Sequence, residues 1–328
     1  MKDSMQIQTV FQNYSSELNR VEEGMEKCLR TDIRLIPQII NHIIGSGGKR
    51  FRPLLLLAAA DLCGYHGERR CNLSIVIEFL HTATLLHDDV IDEAEIRRGD
   101  VSANKIWGNA ASVLVGDFLY SMAFKLMAAD GSLAVMKLLS QTTNTMSEGE
   151  IFQLIKCGKL DLTERDYLAI IEKKTSVLIS TACALGGMLG NVPDEQIEAL
   201  ARFGMRIGSA FQITDDTLDY VAREDNFGKA IGKDLAEGKI TLPLIRTLKQ
   251  CTAKEKVVVK KVVQHKEESP EAVQEIMALL KRYDGVDYAL AKARGYVEEG
   301  KNLLGIFPDG EGKSNLLSIA DYIINRSF

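Results

Sequence analysis

The chain has 328 residues, of which 46% are hydrophobic and 26% charged, a composition typical of globular proteins. Its net charge of −5 and the lack of a long basic stretch argue against a nucleic-acid partner. No apolar core of the signal-peptide kind opens the chain, and no uninterrupted apolar run approaches the roughly 20 residues that span a bilayer. The six cysteines form no CxxC pair and show no zinc spacing. We therefore expect a cytoplasmic protein with reduced thiols and no transmembrane segment.

Apolar residues recur three and four apart along most of the chain, which predicts helices. Thr163 and Asp166 have the form of a capping box, and Pro193 precedes two acidic residues as at a helix start. Arg97, Arg98 and Gly99 are expected to end the helix that precedes them. We predict a single all-α domain over residues 1–328, with roughly ten or more helices, peripheral ones in 252–285, and long ones at 77–92, 112–129, 167–189 and 197–221.

The first chemical motif is GSGGKRFRP at residues 45–53. It places Lys49, Arg50 and Arg52 between a Gly-Gly turn and the apolar helix that begins near Pro53. A helix N-terminus already carries partial positive charge, so extra cations there are unfavourable unless an anion binds. Free N–H groups, glycines and cations together favour a phosphate site. A solvated basic turn is the alternative that the local sequence leaves open.

Two aspartate clusters follow apolar helical stretches, HDDVID at residues 87–92 and DDTLD at residues 215–219. Helical spacing places the members of each cluster on one face. In the first, His81, Thr84, Asp88 and Asp92 share a stripe with Asp89 beside it; in the second, Gln212, Asp215 and Asp219 share a stripe with Asp216 beside it.

Carboxylates this close destabilise a helix, and burial raises the cost. A divalent cation removes the repulsion, and oxygen-only ligands favour Mg²⁺ over zinc. A solvated acidic face is the alternative for one cluster, but two copies on apolar helices make it a weak alternative. Together with the basic motif, they indicate a metal-bound diphosphate beside a second phosphorylated group, in an apolar interior that protects a carbocation from water.

On local sequence alone, the remaining polar candidates are more typical of solvated or structural residues. These are the lysines of KKT and of the 224–239 segment, a core histidine and the arginine pair: Lys173, Lys174, Lys229, Lys233, His81, Arg97 and Arg98. The arginines stand beyond Asp92, so they could instead hold the phosphate that the metals bridge.

The sequence resembles the trans-type polyprenyl diphosphate synthases, all-α head-to-tail prenyltransferases, over nearly its whole length. The motifs that carry the resemblance are GGKRFRP, EFLHTATLLHDDVIDEAEIRRG, GDFLYSMAF, KKTSVLI, FQITDDTLDY and GKAIGKDLAEGKITLPLI. The amino-acid sequences of these motifs are similar to those of bacterial octaprenyl diphosphate synthases. The resemblance implies the isoprenoid synthase fold, a helical bundle around a deep central cavity, and usually a homodimer. It also implies elongation of an allylic diphosphate by isopentenyl diphosphate, with pyrophosphate as the base that removes the proton.

The resemblance further implies a role for each matching residue, and it overrides the local interpretations of His81, Lys174 and Lys229. Mg²⁺ is expected on Asp88, Asp89, Asp92, Asp215, Asp216 and Asp219. The allylic diphosphate is expected on Arg97, with Lys174, Thr175, Gln212 and Lys229 assisting. Isopentenyl diphosphate is expected on Lys49, Arg52, His81 and Arg98. Arg50 matches the motif and is counted among the substrate-binding residues without a specific role.

Product length in this family depends on the side chains below the first aspartates. Ala83 and Thr84 are small there, which favours a long product, for example an octaprenyl chain for a quinone. Phe118, Leu119, Met122 and Ala123 are candidate walls of the product tunnel, and peripheral membrane contact is expected at product release. The alternatives are a short- or medium-chain synthase, a class I terpene cyclase, and a non-catalytic regulatory subunit. The intact aspartate and basic motifs argue against the last two.

Overall fold

The computed structural model describes residues 2–45, 50–221, 233–265 and 269–325, so Lys49 and Lys229 lie outside the described residues. The first part of the chain forms α1 (Lys2–Asn13), α2 (Ser15–Cys28), α3 (Leu35–Gly45), α4 (Phe51–Leu62), α5 (Arg69–Ile91), α6 (Ala103–Trp107), α7 (Asn109–Asp130) and α8 (Leu133–Lys156). The second part forms α9 (Glu164–Ile171), α10 (Val177–Leu189), α11 (Asp194–Leu218), α12 (Lys233–Ala236), α13 (Leu242–Gln250), α14 (Ala253–His265), α15 (Pro270–Arg282), α16 (Gly285–Leu303) and α17 (Glu311–Asn325). The predicted all-α class is confirmed.

The strands of the described chain are a two-residue hairpin, β1 (Ile96–Arg97) and β2 (Asp100–Val101), paired antiparallel. Two short helical turns complete the architecture, a π-helical turn at Glu172–Ser176 and a 3-10 turn at Leu304–Ile306. The hairpin follows directly on α5, where the sequence predicted helix.

The helices α4, α5, α10 and α11 lie at the centre of the bundle. Helix α10 packs against α4 and α11, α7 runs along α5, and α16 covers the outer side of α11. Every residue from Leu54 to Ala60 of α4 is fully buried, which explains why that stretch is apolar all round rather than on one face. The two helices that carry the aspartates are therefore core helices, and their C-terminal ends bear the motifs.

Two predicted helix starts are confirmed. The hydroxyl of Thr163 accepts from the Asp166 N–H at 3.1 Å, and the Asp166 carboxylate accepts from the Thr163 N–H at 3.2 Å. This capping box begins α9 because it satisfies N–H groups that have no partner inside the helix. Pro193 is the N-cap of α11 without a side-chain cap, and Asp194 and Glu195 in the first turn complement the helix dipole instead.

The predicted end of the first aspartate helix was wrong. Helix α5 stops at Ile91, Glu93 adopts a left-handed conformation, and Arg97 lies in β1. Arg98 and Gly99 form the hairpin turn with φ of 53° and 92°. The physical reason lies in the last turn of α5, where the aspartates oppose the helix dipole and no basic residue of the helix itself offsets them. The arginines return to that turn through the hairpin instead.

The predicted continuous helix at 167–189 is interrupted by the π-helical turn at Glu172–Ser176. Two glycines allow neighbouring helices to approach this turn closely. A Cβ added to Gly149 of α8 would lie 2.8 Å from the Lys174 backbone nitrogen, and one on Gly208 of α11 would lie 2.6 Å from the Ser176 Cα. Helices α8 and α11 thus pack closely against the π-helical turn on two sides, which fixes the backbone that carries Lys174.

Helix α7 is long and apolar enough to cross a membrane by length and composition, the single such helix among the described residues. One third of its most apolar stretch is buried inside the chain. The sequence predicted no segment of this kind, because charged residues and glycine, here Gly116 and Asp117, interrupt the apolar runs. The helix continues through both residues.

Candidate active site

The C-terminal ends of α5 and α11 face one cavity of about 350 Å³. Carboxylates, cations and a few apolar side chains share its wall. The lining residues are Arg52, His81, Thr84, Leu85, Asp88, Asp92, Arg97, Arg98, Glu150, Lys174, Thr175, Phe211, Gln212, Asp215, Asp234, Glu237 and Lys239. Most of the site residues predicted from the sequence that the structure describes are therefore brought together around one space.

The first aspartate motif is divided between the cavity and the protein interior. Asp88 lies 3.4 Å from the Lys174 ammonium, and Asp92 lies 2.7 Å from the Lys239 ammonium. Asp89 is fully buried and accepts two hydrogen bonds from Arg97 on one oxygen, while its other oxygen has no hydrogen-bond partner in the described structure. Asp88 and Asp92 are thus placed to meet a ligand, whereas Asp89 positions Arg97.

The second motif is divided in the same way. Asp215 lines the cavity. Asp216 accepts hydrogen bonds on both oxygens, from the Tyr167 hydroxyl at 2.6 Å and from the Gln212 amide at 2.7 Å. Asp219 accepts from the Asp234 backbone N–H at 3.0 Å. Burial raises the pKa of Asp216 to about 6 even though these two hydrogen bonds lower it.

The six predicted metal ligands therefore fall into two groups of three. Asp88, Asp92 and Asp215 line the cavity, whereas Asp89, Asp216 and Asp219 hold other parts of the protein. Within the described residues, no group of three His, Cys, Asp or Glu side chains is close enough to hold a metal ion. The oxygen donors suit Mg²⁺, and two lysine ammonium groups rest on the first pair of carboxylates. A divalent cation at Asp88 and Asp92 would compete with those ammonium groups.

A cationic wall faces the carboxylates. The Nε of Arg52 is buried without a hydrogen-bond partner in the described chain. Burial, with a smaller contribution from Arg98, lowers the pKa of Arg52 to about 10 against the opposing charges of Glu78 and Asp215. Burial also lowers the pKa of His81, and Arg52 and Arg98 add to that effect, so its imidazole is neutral at pH 7. An orphaned buried donor among like charges fits an anionic ligand.

Arg50 has a different environment from its neighbour Arg52. Its side chain is buried between Glu22 at 3.1 Å and Glu78 at 3.2 Å, and it is absent from the described lining of the cavity. Its backbone is left-handed, with φ of 45°, at the N-cap of α4. The structure therefore places Arg50 at the start of α4, apart from the other predicted substrate-binding residues that line the cavity.

The polar network around the cavity includes residues that the sequence interpretation missed. Lys239 and Glu237 belong to a quoted motif but were not singled out, and Tyr167 and Glu150 carried no local signal. Glu150 lies 2.8 Å from Lys174, and Glu237 lies 2.7 Å from Lys239. Only the packing of α8 against the π-helical turn, and of the 234–239 segment against α5, brings these groups together.

The predicted chain-length residues occupy two environments. Thr84 lines the cavity one turn before Asp88. Ala83, Leu119 and Ala123 are fully buried in the core, and Phe118 and Met122 are half-buried against it.

Comparison with known protein families identifies the family of this chain. The model of the polyprenyl synthetase family matches residues 33–280, about three quarters of the sequence. The chain belongs to the polyprenyl synthetase family. It is therefore a prenyltransferase, as the sequence predicted.

Full-length relatives agree with this assignment. The chain is 35% identical to the octaprenyl diphosphate synthase of Haemophilus influenzae, with 100% of the chain and 99% of the relative covered. It is 34% identical to the corresponding enzyme of Escherichia coli, with 98% and 99% covered. The solved decaprenyl diphosphate synthase from Rhodobacter capsulatus superposes with a TM-score of 0.93 at 36% identity, covering 98% of this chain and 99% of that one.

A second solved structure is described together with ligands. It is a polyprenyl synthase from Caulobacter crescentus complexed with calcium and isoprenyl diphosphate, with a TM-score of 0.92, 35% identity and 98% of each chain covered. Relatives of similar sequence identity are named for products of different chain length, from geranylgeranyl to decaprenyl diphosphate. The geranylgeranyl diphosphate synthase of Methanosarcina mazei is 34% identical, with 99% of the chain and 100% of the relative covered. Overall identity therefore fixes the family but not the product length.

Proposed function

We propose that the chain extends an allylic diphosphate, farnesyl or geranyl diphosphate, with isopentenyl diphosphate units to a long all-trans polyprenyl diphosphate. An octaprenyl product for a quinone side chain fits the relatives and the small residues at 83 and 84. The observation that carries the proposal is that one cavity is lined by Asp88, Asp92 and Asp215 together with Arg52, Arg98 and the neutral imidazole of His81.

We propose Asp88, Asp92 and Asp215 as the residues that hold Mg²⁺. When bound, Mg²⁺ would neutralise the diphosphate and make it a better leaving group. The described donors are carboxylates from both walls, and the ammonium groups on Asp88 and Asp92 mark where positive charge is accommodated. The Caulobacter neighbour, described with calcium and isoprenyl diphosphate, supports a divalent cation in this fold. In this proposal Asp89, Asp216 and Asp219 position their partners.

The cations of the chain divide between the two substrates in this mechanism. Lys174, Lys239 and Arg97 face the aspartates and bind the allylic diphosphate, with Gln212 and Thr175 beside them. Arg52 and Arg98 bind isopentenyl diphosphate through charge-assisted hydrogen bonds, and neutral His81 donates one more. Lys49 and Lys229, outside the described residues, are proposed for the same two sites on the family resemblance.

The proposed reaction has three steps: ionisation of the allylic diphosphate, carbon–carbon bond formation and loss of a proton. The bond between C1 of the allylic group and its diphosphate oxygen breaks, and the electron pair leaves with pyrophosphate. The double bond of isopentenyl diphosphate attacks C1 and forms the new carbon–carbon bond. A proton leaves the resulting cation for pyrophosphate, and a new double bond forms. Phe211 and Leu85 in the cavity wall exclude water from the cation.

We propose a cytoplasmic homodimer whose subunits meet through α7 and α8, with one domain spanning each chain. These helices expose large apolar side chains, among them Leu114 at 68%, Leu154 at 65% and Ile151 at 59%. Apolar area of this kind favours a partner surface, and the limited burial of α7 within the chain fits a second copy covering it. The core cluster runs from Ile7 to Ile323, which supports a single domain. Peripheral membrane contact at product release remains part of the proposal.

One assay tests this function. The protein is incubated with farnesyl diphosphate, isopentenyl diphosphate and Mg²⁺, and the products are separated by chromatography. We expect longer prenyl diphosphates. Cyclic hydrocarbons would indicate a terpene cyclase, and no product from the folded protein would indicate a regulatory subunit.

A further inference from the structure

Two lysines each contact one aspartate of the first motif and one glutamate outside it. The Lys174 ammonium lies 3.4 Å from Asp88 and 2.8 Å from Glu150. The Lys239 ammonium lies 2.7 Å from Asp92 and 2.7 Å from Glu237. The same arrangement therefore occurs twice, once from α8 and once from the segment after α12.

The geometry of the first pair is fixed by backbone packing. Gly149 allows α8 to touch the π-helical turn, since any side chain there would meet the Lys174 backbone. Glu150 is the next residue, so the same close approach brings its carboxylate to the Lys174 ammonium. Both side chains are about one-fifth exposed, in the wall of the cavity. The contact is therefore a built feature rather than a chance surface pair.

We propose that Glu150 and Glu237 are positioning residues that keep hold of Lys174 and Lys239 when a divalent cation occupies Asp88 and Asp92. This inference rests on the proposed function. Because each lysine also contacts a glutamate, it keeps one counter-ion when the metal binds its aspartate. If the glutamate is removed, the ammonium stays on the aspartate and competes with the metal. The lysine is thereby kept at the cavity wall, where the diphosphate arrives.

Charge counting gives this inference a distinctive signature. With all three side chains ionised, Lys174 with Asp88 and Glu150 carries a net charge of −1, and replacing Glu150 by glutamine makes the group neutral. A more neutral group attracts cations less and anions more. The Glu150→Gln change should therefore weaken metal binding and strengthen metal-free pyrophosphate binding. Simple structural damage would weaken both.

The chain provides a matched control two residues away. Glu148 forms an equivalent pair with Lys173 at 2.6 Å, on the same two elements, but that pair is exposed and lies outside the described cavity lining. Glu148→Gln thus removes the same charge from the same helix without changing the counter-ion of Lys174.

The test measures two affinities on the full-length protein, neither of which depends on turnover. Mn²⁺ binding is followed by electron paramagnetic resonance, and pyrophosphate binding without metal is followed by calorimetry. For Glu150→Gln we expect Mn²⁺ to bind about tenfold more weakly and pyrophosphate to bind several-fold more tightly. Glu237→Gln should change both in the same directions, Glu148→Gln should match wild type, and Glu150→Asp should retain much of the metal affinity.

Equal behaviour of Glu150→Gln and Glu148→Gln would overturn the inference, as would a parallel fall of both affinities. If Glu150→Gln does not fold, Glu150→Asp and Glu237→Gln decide the question by the same two measurements. Prenyl transfer by the wild type is scored separately. If the wild type transfers no prenyl group but the Mn²⁺ and pyrophosphate affinities of Glu150→Gln shift in opposite directions, only the proposed function is overturned. If the wild type is active but the two affinities do not shift in opposite directions, only this inference is overturned.

Discussion

The Lys239 ammonium and the Asp92 carboxylate lie 2.7 Å apart, although 147 residues separate them along the chain. This contact joins the segment after α12 to the end of α5 across the mouth of the cavity. Lys174 makes the comparable contact to Asp88 from the π-helical turn. Each aspartate of the first motif is therefore paired with a cation of the chain itself, which explains how the three coexist on a core helix before any substrate or metal ion arrives.

Removal of divalent metal should abolish turnover without unfolding the protein. Excess EDTA leaves the leaving diphosphate without neutralisation, whereas Lys174 and Lys239 still compensate the first pair of carboxylates. We expect product formation to stop with EDTA and to return with added Mg²⁺. The circular dichroism spectrum should remain helical throughout. Full turnover in the chelated protein would disprove the metal assignment.

The aspartates of the first motif should differ in what their loss does. Asp88→Asn removes a cavity carboxylate, so we expect turnover to fall by roughly 10²–10³-fold with stability retained. Asp89→Asn instead leaves Arg97 with a neutral partner in a buried site, which should cost about 3 kcal/mol of unfolding free energy. Steady-state kinetics and urea unfolding of both variants separate the two effects. Equal stability loss in the two variants would contradict the division of the motif.

The sequence was sufficient for features that depend on local chemistry. Helical periodicity predicted the buried α5 and α11, and capping chemistry predicted the starts at Thr163 and Pro193. It was insufficient where tertiary contacts override local preference. Arg97 has the position of a C-terminal helix cation, yet its pairing with buried Asp89 follows from a hairpin.

In the candidate site, too, the sequence was sufficient for the motifs but not for the tertiary contacts of each residue. Both aspartate motifs and the basic motif were recognisable, but helical spacing could not separate the cavity-lining Asp215 from Asp216, whose two oxygens are hydrogen-bonded within the protein. That difference depends on Tyr167, which is 49 residues away in the sequence. Glu150 was likewise invisible, because its role depends on how closely Gly149 lets α8 approach the π-helical turn.

Arg52 should affect one substrate much more than the other. Its Nε is buried without a hydrogen-bond partner in the described residues and faces the His81 side of the cavity. We expect Arg52→Ala to raise the KM for isopentenyl diphosphate about ten- to a hundredfold, the value of one charge-assisted hydrogen bond. The KM for farnesyl diphosphate should change little. Equal changes for both substrates would mean that the two diphosphate sites are assigned the wrong way round.

The metal-free protein should lose stability as pH rises from about 4.5 to 7, through Glu150. Burial raises the pKa of this carboxyl from 4.5 to about 7, and the charge of Asp88 adds to the effect against Lys174. A raised pKa in the folded state favours folding below the unfolded pKa, and that contribution disappears as pH rises through the folded pKa. We therefore expect wild type to lose unfolding free energy relative to Glu150→Gln between pH 4.5 and 7. Parallel pH profiles of the two proteins in urea unfolding would contradict this assignment.

Thr84 and Ala83 should respond differently to the same bulky substitution. Thr84 lines the cavity one turn from Asp88, so a phenylalanine there blocks the path of a chain that grows from the aspartates toward the start of α5. Ala83 is fully buried in the core, so a ring there must displace packed neighbours at a cost of about 1–3 kcal/mol.

We accordingly expect Thr84→Phe to shorten the main product by several isoprene units with metal dependence intact. Ala83→Phe should mainly lower the unfolding free energy. Both are measured on the same preparations, by product chromatography at fixed substrate ratio and by urea unfolding. The half-buried Phe118 and Met122 would then mark the side on which the chain continues. If Thr84→Phe makes the full-length product while a stable Ala83→Phe makes a short one, the growing chain instead passes between α5 and α7. The buried small residues of that interface, Ala83 and Ala123, would then set the product length.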